Sequence, residues 1–156
     1  MNTAGTHATE HHAFDADTKM YVAMRVEQQL FGIPVEQVRD VLRQQMVTPI
    51  PMAPAEIDGS LNLRGRIVTV VNVRKRLRLP VRAEHEKNMF VVVENHKGDL
   101  YSFVVDSVGE VLTVPSGAIE KIPANLNGAW KDVASGIYKM SGELLVIIDV
   151  QTMLTL

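Results

Sequence analysis

Seven positive side chains, Arg64, Arg66, Arg74, Lys75, Arg76, Arg78 and Arg82, lie between Asp58 and Glu84 with no acid among them. A stripe of that kind could hold phosphate through charge alone, which makes a small β-barrel nucleic-acid binder, working through Arg64 to Arg82, one reading of the chain. It lacks the interleaved aromatics on which unpaired bases stack, since aromatic residues make up only 5 % of the chain. A solvated charged face and a protein-binding patch are the other readings of the run. The net charge of -2 supplies no global pull toward phosphate, so any such contact would be local.

Acid–base and nucleophilic chemistry find little support. His7, His11 and His12 lie in a polar N-terminal stretch, and His85 and His96 fall in expected loops without a Ser or Cys motif beside them. Glu10, His11 and His12 could grip an adventitious metal, but their spacing fixes no site, and no glycine-rich phosphate loop is present. With no cysteine, thiolate metal sites and disulfides are excluded. Glu36, Asp40, Asp106 and Glu110 recur as expected outward acids, a pattern that suits structure better than a matched general acid and base. The expectation is a chain with no enzymatic activity, no cofactor and no metal.

Arg64 is the most pointed of the basic residues. Strand alternation places Leu61 and Leu63 inward and therefore Asn62 and Arg64 outward, just before Gly65. Either Arg64 is a solvated turn residue, or its planar fork meets a carboxylate, with Asp40 the internal candidate.

The elements that position these residues occur twice. FGIPVEQVRDVL from Phe31 lies over YSFVVDSVGEVL from Tyr101, and GSLNLRGRIVTVVNV from Gly59 lies over GIYKMSGELLVIIDV from Gly136, at offsets of 70 and 77 residues. Tyr21 to Val26 and Phe90 to Val93 read as strands, with turns near Gln28-Gln29 and Lys97-Gly98. A second hairpin pivots on Arg64-Gly65 in one copy and on Ser141-Gly142 in the other. After each last strand, Asn72 or Asp149 predicts an N-cap and a short helix whose apolar face folds back on the sheet. Arg74, Lys75 and Arg76 are then expected to point outward.

At 156 residues and 46 % hydrophobic, the chain can bury about two-thirds of its unfolded surface. A repeat of about 70 residues makes a marginal core alone, so two small barrels sharing an interface are expected. The runs IVTVV and LLVII lack polar alternation and call for cover on both faces. Trp130, in the segment that lengthens the second copy, is either a core residue or an exposed binding anchor. Residues 1–18 carry little apolar surface and are expected to be a disordered leader. No apolar run approaches the roughly 20 residues of a membrane span and no secretory signal is evident, so a cytoplasmic protein without membrane insertion is expected.

The FGIPVEQVRDVL, GSLNLRGRIVTVVNVRKRL and SFVVDSVGEVL segments together resemble the CheW family of chemotaxis coupling proteins, from about Met20 to Leu154. The resemblance implies a mainly all-β fold of two intertwined five-stranded SH3-like barrels, with short helices after the last strand of each copy. The leader would end at 18 and the CheW-like domain fill 19–156, its first barrel about 19–80 and its second about 81–146, with terminal segments exchanged or packed across. It also implies a non-enzymatic adaptor that binds the cytoplasmic tip of methyl-accepting chemoreceptors and the regulatory domain of the histidine kinase CheA. Such adaptors work in arrays at the inner face of the membrane and can self-associate in rings; nucleic acid is not an expected partner. Carried over by position, the binding residues fall on Val38, Asp40, Gly59, Asn62, Leu63, Arg64 and Gly65, with Val108 and Val111 from the second copy. The sequence departs from the family pattern at Asn72, where an aspartate is usual, and in the unusually basic Arg74-Lys75-Arg76 run.

Overall fold

A computed structural model describes residues 17–83, 86–126 and 128–156. Among the described residues ten strands follow in order: β1 (Thr18–Val26), β2 (Gln29–Pro34), β3 (Val38–Arg43), β4 (Ile57–Leu63), β5 (Arg66–Asn72), β6 (Met89–Glu94), β7 (Leu100–Val105), β8 (Ser107–Pro115), β9 (Ala134–Met140) and β10 (Glu143–Ile148). One-turn helices α1 (Val73–Arg76), α2 (Gly128–Lys131) and α3 (Val150–Met153) punctuate them. The expected leader lies outside the described residues except for Asp17 and Thr18, and Thr18 already pairs with Pro115 as the first residue of β1. The first hairpin turns on Glu27 and Gln28, both at positive φ, one residue earlier than the sequence suggests.

The strands form two five-stranded sheets, ordered β8-β1-β2-β10-β9 and β3-β6-β7-β5-β4. The repeat pairs β1 with β6, β2 with β7, β3 with β8, β4 with β9 and β5 with β10. Each sheet therefore takes its hairpin β1–β2 or β6–β7 from one copy and its three other strands from the other copy. The two copies join through the parallel pairs β2·β10 and β5·β7 and the antiparallel pairs β1·β8 and β3·β6. Pairing thus does not follow a division near residue 80, because β1 and β2 find their partners in β8 and β10. Each sheet curls into an SH3-like barrel, and isolated bridges, Thr48 to Ser60 and Glu120 to Ile137, fasten the intervening loops against β4 and β9.

Alternation within the apolar strands explains the division of the core. In β10, Leu145 and Ile147 fill one barrel while Val146 and Ile148 face the other; in β5, Val68 and Val70 turn inward while Val71 meets the neighbour. The largest buried cluster lies at this interface and joins both sheets through Met24, Phe31, Val91, Phe103 and Val146. Trp130 is a core residue of this cluster, its ring tilted against Phe31 with centroids 5.1 Å apart. Cover on both faces does not extend to the whole of IVTVV: Ile67 is 66 % exposed.

Among the described residues, one buried hydroxyl lacks a partner. Ser102 on β7 is fully buried, and its Oγ makes no hydrogen bond, lying on the same face of the strand as Leu100 and Val104. An unmade hydrogen bond in an apolar interior costs roughly 1–3 kcal/mol, so Ser102→Ala is expected to leave stability unchanged or raise it by about 1 kcal/mol. Urea denaturation with an unchanged slope checks this; a loss of stability would show that the hydroxyl is satisfied.

Candidate protein-binding site

The β4–β5 hairpin closes on Arg64 and Gly65, whose φ values of 52° and 88° are those of a type I′ turn. The Asn62 side-chain oxygen accepts a hydrogen bond from the Gly65 amide at 2.9 Å and holds the loop in that form. The Arg64 guanidinium then reaches Asp40 on β3, Nη2 to Oδ2 at 3.1 Å. β3 and β4 are the two edges of their sheet, so this ion pair spans the seam of the barrel. Asp40 also accepts from the Val41 amide at 2.8 Å. Arg64 remains 77 % exposed, leaving most of its donors free.

Gly59 stands behind this hairpin and is buried. Its φ is 148°, and a Cβ placed there would lie 2.2 Å from the Thr48 carbonyl oxygen. The close approach lets Thr48 and Ser60 exchange backbone hydrogen bonds at 2.9 and 2.8 Å. Gly59 is thus buried against the Thr48–Ser60 bridge, beneath the hairpin. Leu63 is half-buried against the barrel core, and Val38 against the central cluster. Val108 also packs on the central cluster, but from β8 in the other barrel, where Val111 is 46 % exposed. The residues expected to bind thus fall into two groups: Val38, Asp40 and Gly59 to Gly65 on one barrel, Val108 and Val111 on the other.

The basic run is largely occupied by internal partners. The Arg74 guanidinium forks onto Asp106, with Nη2 2.7 Å from Oδ2 and Nε 3.2 Å from Oδ1, and also pairs with Glu27. Hydrogen bonding to Asp106 raises its pKa from the ordinary arginine value. Lys75 meets Asp58 at 3.3 Å, and Arg76 donates to the Thr152 and Met153 carbonyls at the end of α3. Arg66 donates to the Gly98 carbonyl, and Arg82 to Lys87 O and Asn88. The outward orientation expected for Arg74 and Arg76 is corrected: both reach into contacts with the far half of the chain. Asp106 is corrected likewise, its carboxylate only 18 % exposed and accepting from the Glu27 amide.

The sequence reading did not anticipate this Arg74–Asp106–Glu27 contact, whose partners are far apart in the chain. Nor did it mark the loop from Met46 to Met52, where both methionines are exposed and Ile50 partly so, though the TPIPM run could have signalled a stiff exposed segment. Among the described residues there is no cluster of His, Asp and Glu able to hold a metal, and no helix long and apolar enough to cross a membrane. His96 contacts the Gln151 side chain at 2.7 Å; His7, His11, His12 and His85 lie outside the described residues, as does Glu10.

The CheW-like domain model matches residues 20–156. The chain belongs to the CheW family. The chemotaxis protein CheW of Bacillus subtilis is 30 % identical over 136 residues, covering 87 % of this chain and 86 % of that protein. The chemotaxis protein CheW of Rhizobium meliloti is 28 % identical, with 84 % of each chain covered. The crystal structure of the scaffolding protein TtCheW from Thermoanaerobacter tengcongensis superposes with a TM-score of 0.79 at 27 % identity, over 88 % of this chain and 93 % of that one. The CheW relationship makes the chain a member of a chemotaxis scaffold family and accords with the paired barrels and their short capping helices.

Proposed function

We propose that this chain is a non-enzymatic adaptor that joins the cytoplasmic tip of methyl-accepting chemoreceptors to the regulatory domain of the histidine kinase CheA. On this reading it works in the cytoplasm, in arrays at the inner face of the membrane. The observation that carries it is the Arg64 hairpin: an exposed guanidinium held at a barrel seam by Asp40, on a turn fixed by Asn62 and a strand fixed by Gly59. That arrangement preorganises a charged group for another protein. Scaffold membership and the internal pairing of Arg66, Arg74, Lys75, Arg76 and Arg82 support it over a phosphate-binding stripe.

Each contact in such an array is expected to bury about 800 Å² per partner or less, with strength coming from many links held together. Arg64→Ala is expected to weaken receptor–kinase coupling about fivefold or more while leaving the urea midpoint nearly unchanged, because an exposed ion pair contributes little to folding. Reconstituted receptor, kinase and variant chain provide the measurement. Coupling equal to that of the unaltered chain would remove Arg64 from the binding surface. In a double-mutant cycle on coupling, Asp40→Ala and Arg64→Ala are expected to be non-additive, and strict additivity would separate them.

A further inference from the structure

The internal repeat supplies a comparison within one molecule. In one barrel, β3 pairs with β6 as Val38 to Val93 and Val41 to Val91, with a bulge between. In the other, β8 pairs with β1 as Val108 to Met24 and Val111 to Val22, with a bulge at the same place. Glu110 therefore stands where Asp40 stands. The facing hairpins correspond as well: Leu63 pairs with Arg66 around Arg64-Gly65, and Met140 with Glu143 around Ser141-Gly142. Where the first barrel has Arg64, the second has Ser141.

Serine cannot span the seam, and the space is open. A groove of about 190 Å³ lies there, with Val108, Glu110 and Leu112 from β8, Met140 and Glu143 from the facing hairpin, and Arg25 among its lining residues. Glu143 is already bound by both terminal nitrogens of Arg25, each at 3.0 Å, and those hydrogen bonds lower its pKa. Glu110 is exposed and has no ion pair or side-chain hydrogen bond among the described residues. The groove thus combines thioether and alkyl walls with one unneutralised carboxylate. An arginine meets both demands, laying its stem on the apolar wall and its fork on the acid.

We propose that this groove receives an arginine from a partner protein, which supplies to Glu110 from outside what Arg64 supplies to Asp40 from within. The adaptor reading provides the idea that a protein delivers it; the chemistry of the groove can be tested without receptor or kinase. The probe is the capped peptide acetyl-Leu-Arg-Gly-amide, which copies Leu63 to Gly65, and its control carries neutral citrulline for arginine. Two-dimensional amide spectra of the full chain are expected to shift at Val108 to Leu112 and Met140 to Glu143 at ~10 mM arginine peptide, as befits one exposed ion pair.

The citrulline peptide is expected to bind about two- to fivefold more weakly, and Glu110→Gln to bring the two peptides to the same affinity. Ser141→Arg, which places the cation within the chain, is expected to suppress the shifts. Equal shifts from both peptides on the unaltered chain would make the groove merely apolar and overturn the proposal. So would no shift at all, or self-association that perturbs the same amides without peptide and puts a second copy there. Loss of array coupling in Arg64→Ala bears on the first barrel alone, so either idea can fail while the other stands.

Discussion

Gly59→Ala is expected to cost about 3 kcal/mol or more, as two faults coincide at one position. The added methyl meets the Thr48 carbonyl oxygen at 2.2 Å, a backbone atom that can retreat only by breaking the Thr48–Ser60 bridge. It must also adopt φ 148°, a conformation that residues with a Cβ rarely enter. The equivalent change in the other barrel is gentler. At Gly136 a Cβ would meet the Ile119 side chain at 2.9 Å and the Glu120 carbonyl at 3.1 Å, without a positive φ, so Gly136→Ala is expected to cost about 1–2 kcal/mol. Urea denaturation of both variants provides the check. Equal losses would mean that the loop at Thr48 yields easily. Because Gly59 holds the strand beneath the Arg64 hairpin, its variant is expected to lose stability and partner binding together, whereas Arg64→Ala loses binding alone.

Arg74→Ala should be nearly as costly, at about 2–4 kcal/mol. The arginine side chain is 13 % exposed and anchors Asp106 from α1 while Asp106 also holds the Glu27 amide of the β1–β2 turn. Removing it strands a mostly buried carboxylate, whose remaining cation is Arg82 at 3.8 Å. Two comparisons separate this from lost packing. Arg74→Lys keeps the charge but not the fork and is expected to recover only part of the loss. Arg74→Ala combined with Asp106→Ala should destabilise by less than the sum of the single changes, since the double variant leaves no stranded charge. Additive losses would show that the two side chains act independently.

What could be read from the sequence was what local chemistry dictates. The glycine turns at Gly65 and Gly142 show as positive φ, and Asn72 and Asp149 cap their helices by accepting from Lys75 and Thr152 amides. Alternation in LNLR sent Arg64 outward, and Asp40, the internal candidate for its mate, does pair with it. The outward placement of Arg74 and Arg76 failed because a four-residue helix has too few positions to define a solvent face, and their partners lie 32 and 76 or 77 residues away. Which hairpin crosses between the copies was not legible for a related reason. Each copy contains every strand type a barrel needs, so nothing local distinguishes a hairpin that stays with its own copy from one that crosses over. The vacancy opposite Glu110 was likewise hidden, since Ser141 is an unremarkable turn residue until the Arg64 hairpin is laid over it.

The crossing of hairpins bears on how the molecule is made. As the chain leaves the ribosome, strands β3 to β7 are all present once Val105 has emerged, and that sheet can assemble while translation continues. The hairpin β1–β2 has by then been exposed for the longest time, yet its partners β8 and β10 are not all available until Ile148 has been synthesised. Its apolar residues Met24, Phe31 and Ile33 can meet Val91 and Phe103 of the first sheet, but their cover is complete only when Val146 and Ile148 have been added. Premature termination after Val105 but before β10 therefore leaves one complete sheet and one that lacks its last strands, a species suited to aggregation or capture by chaperones.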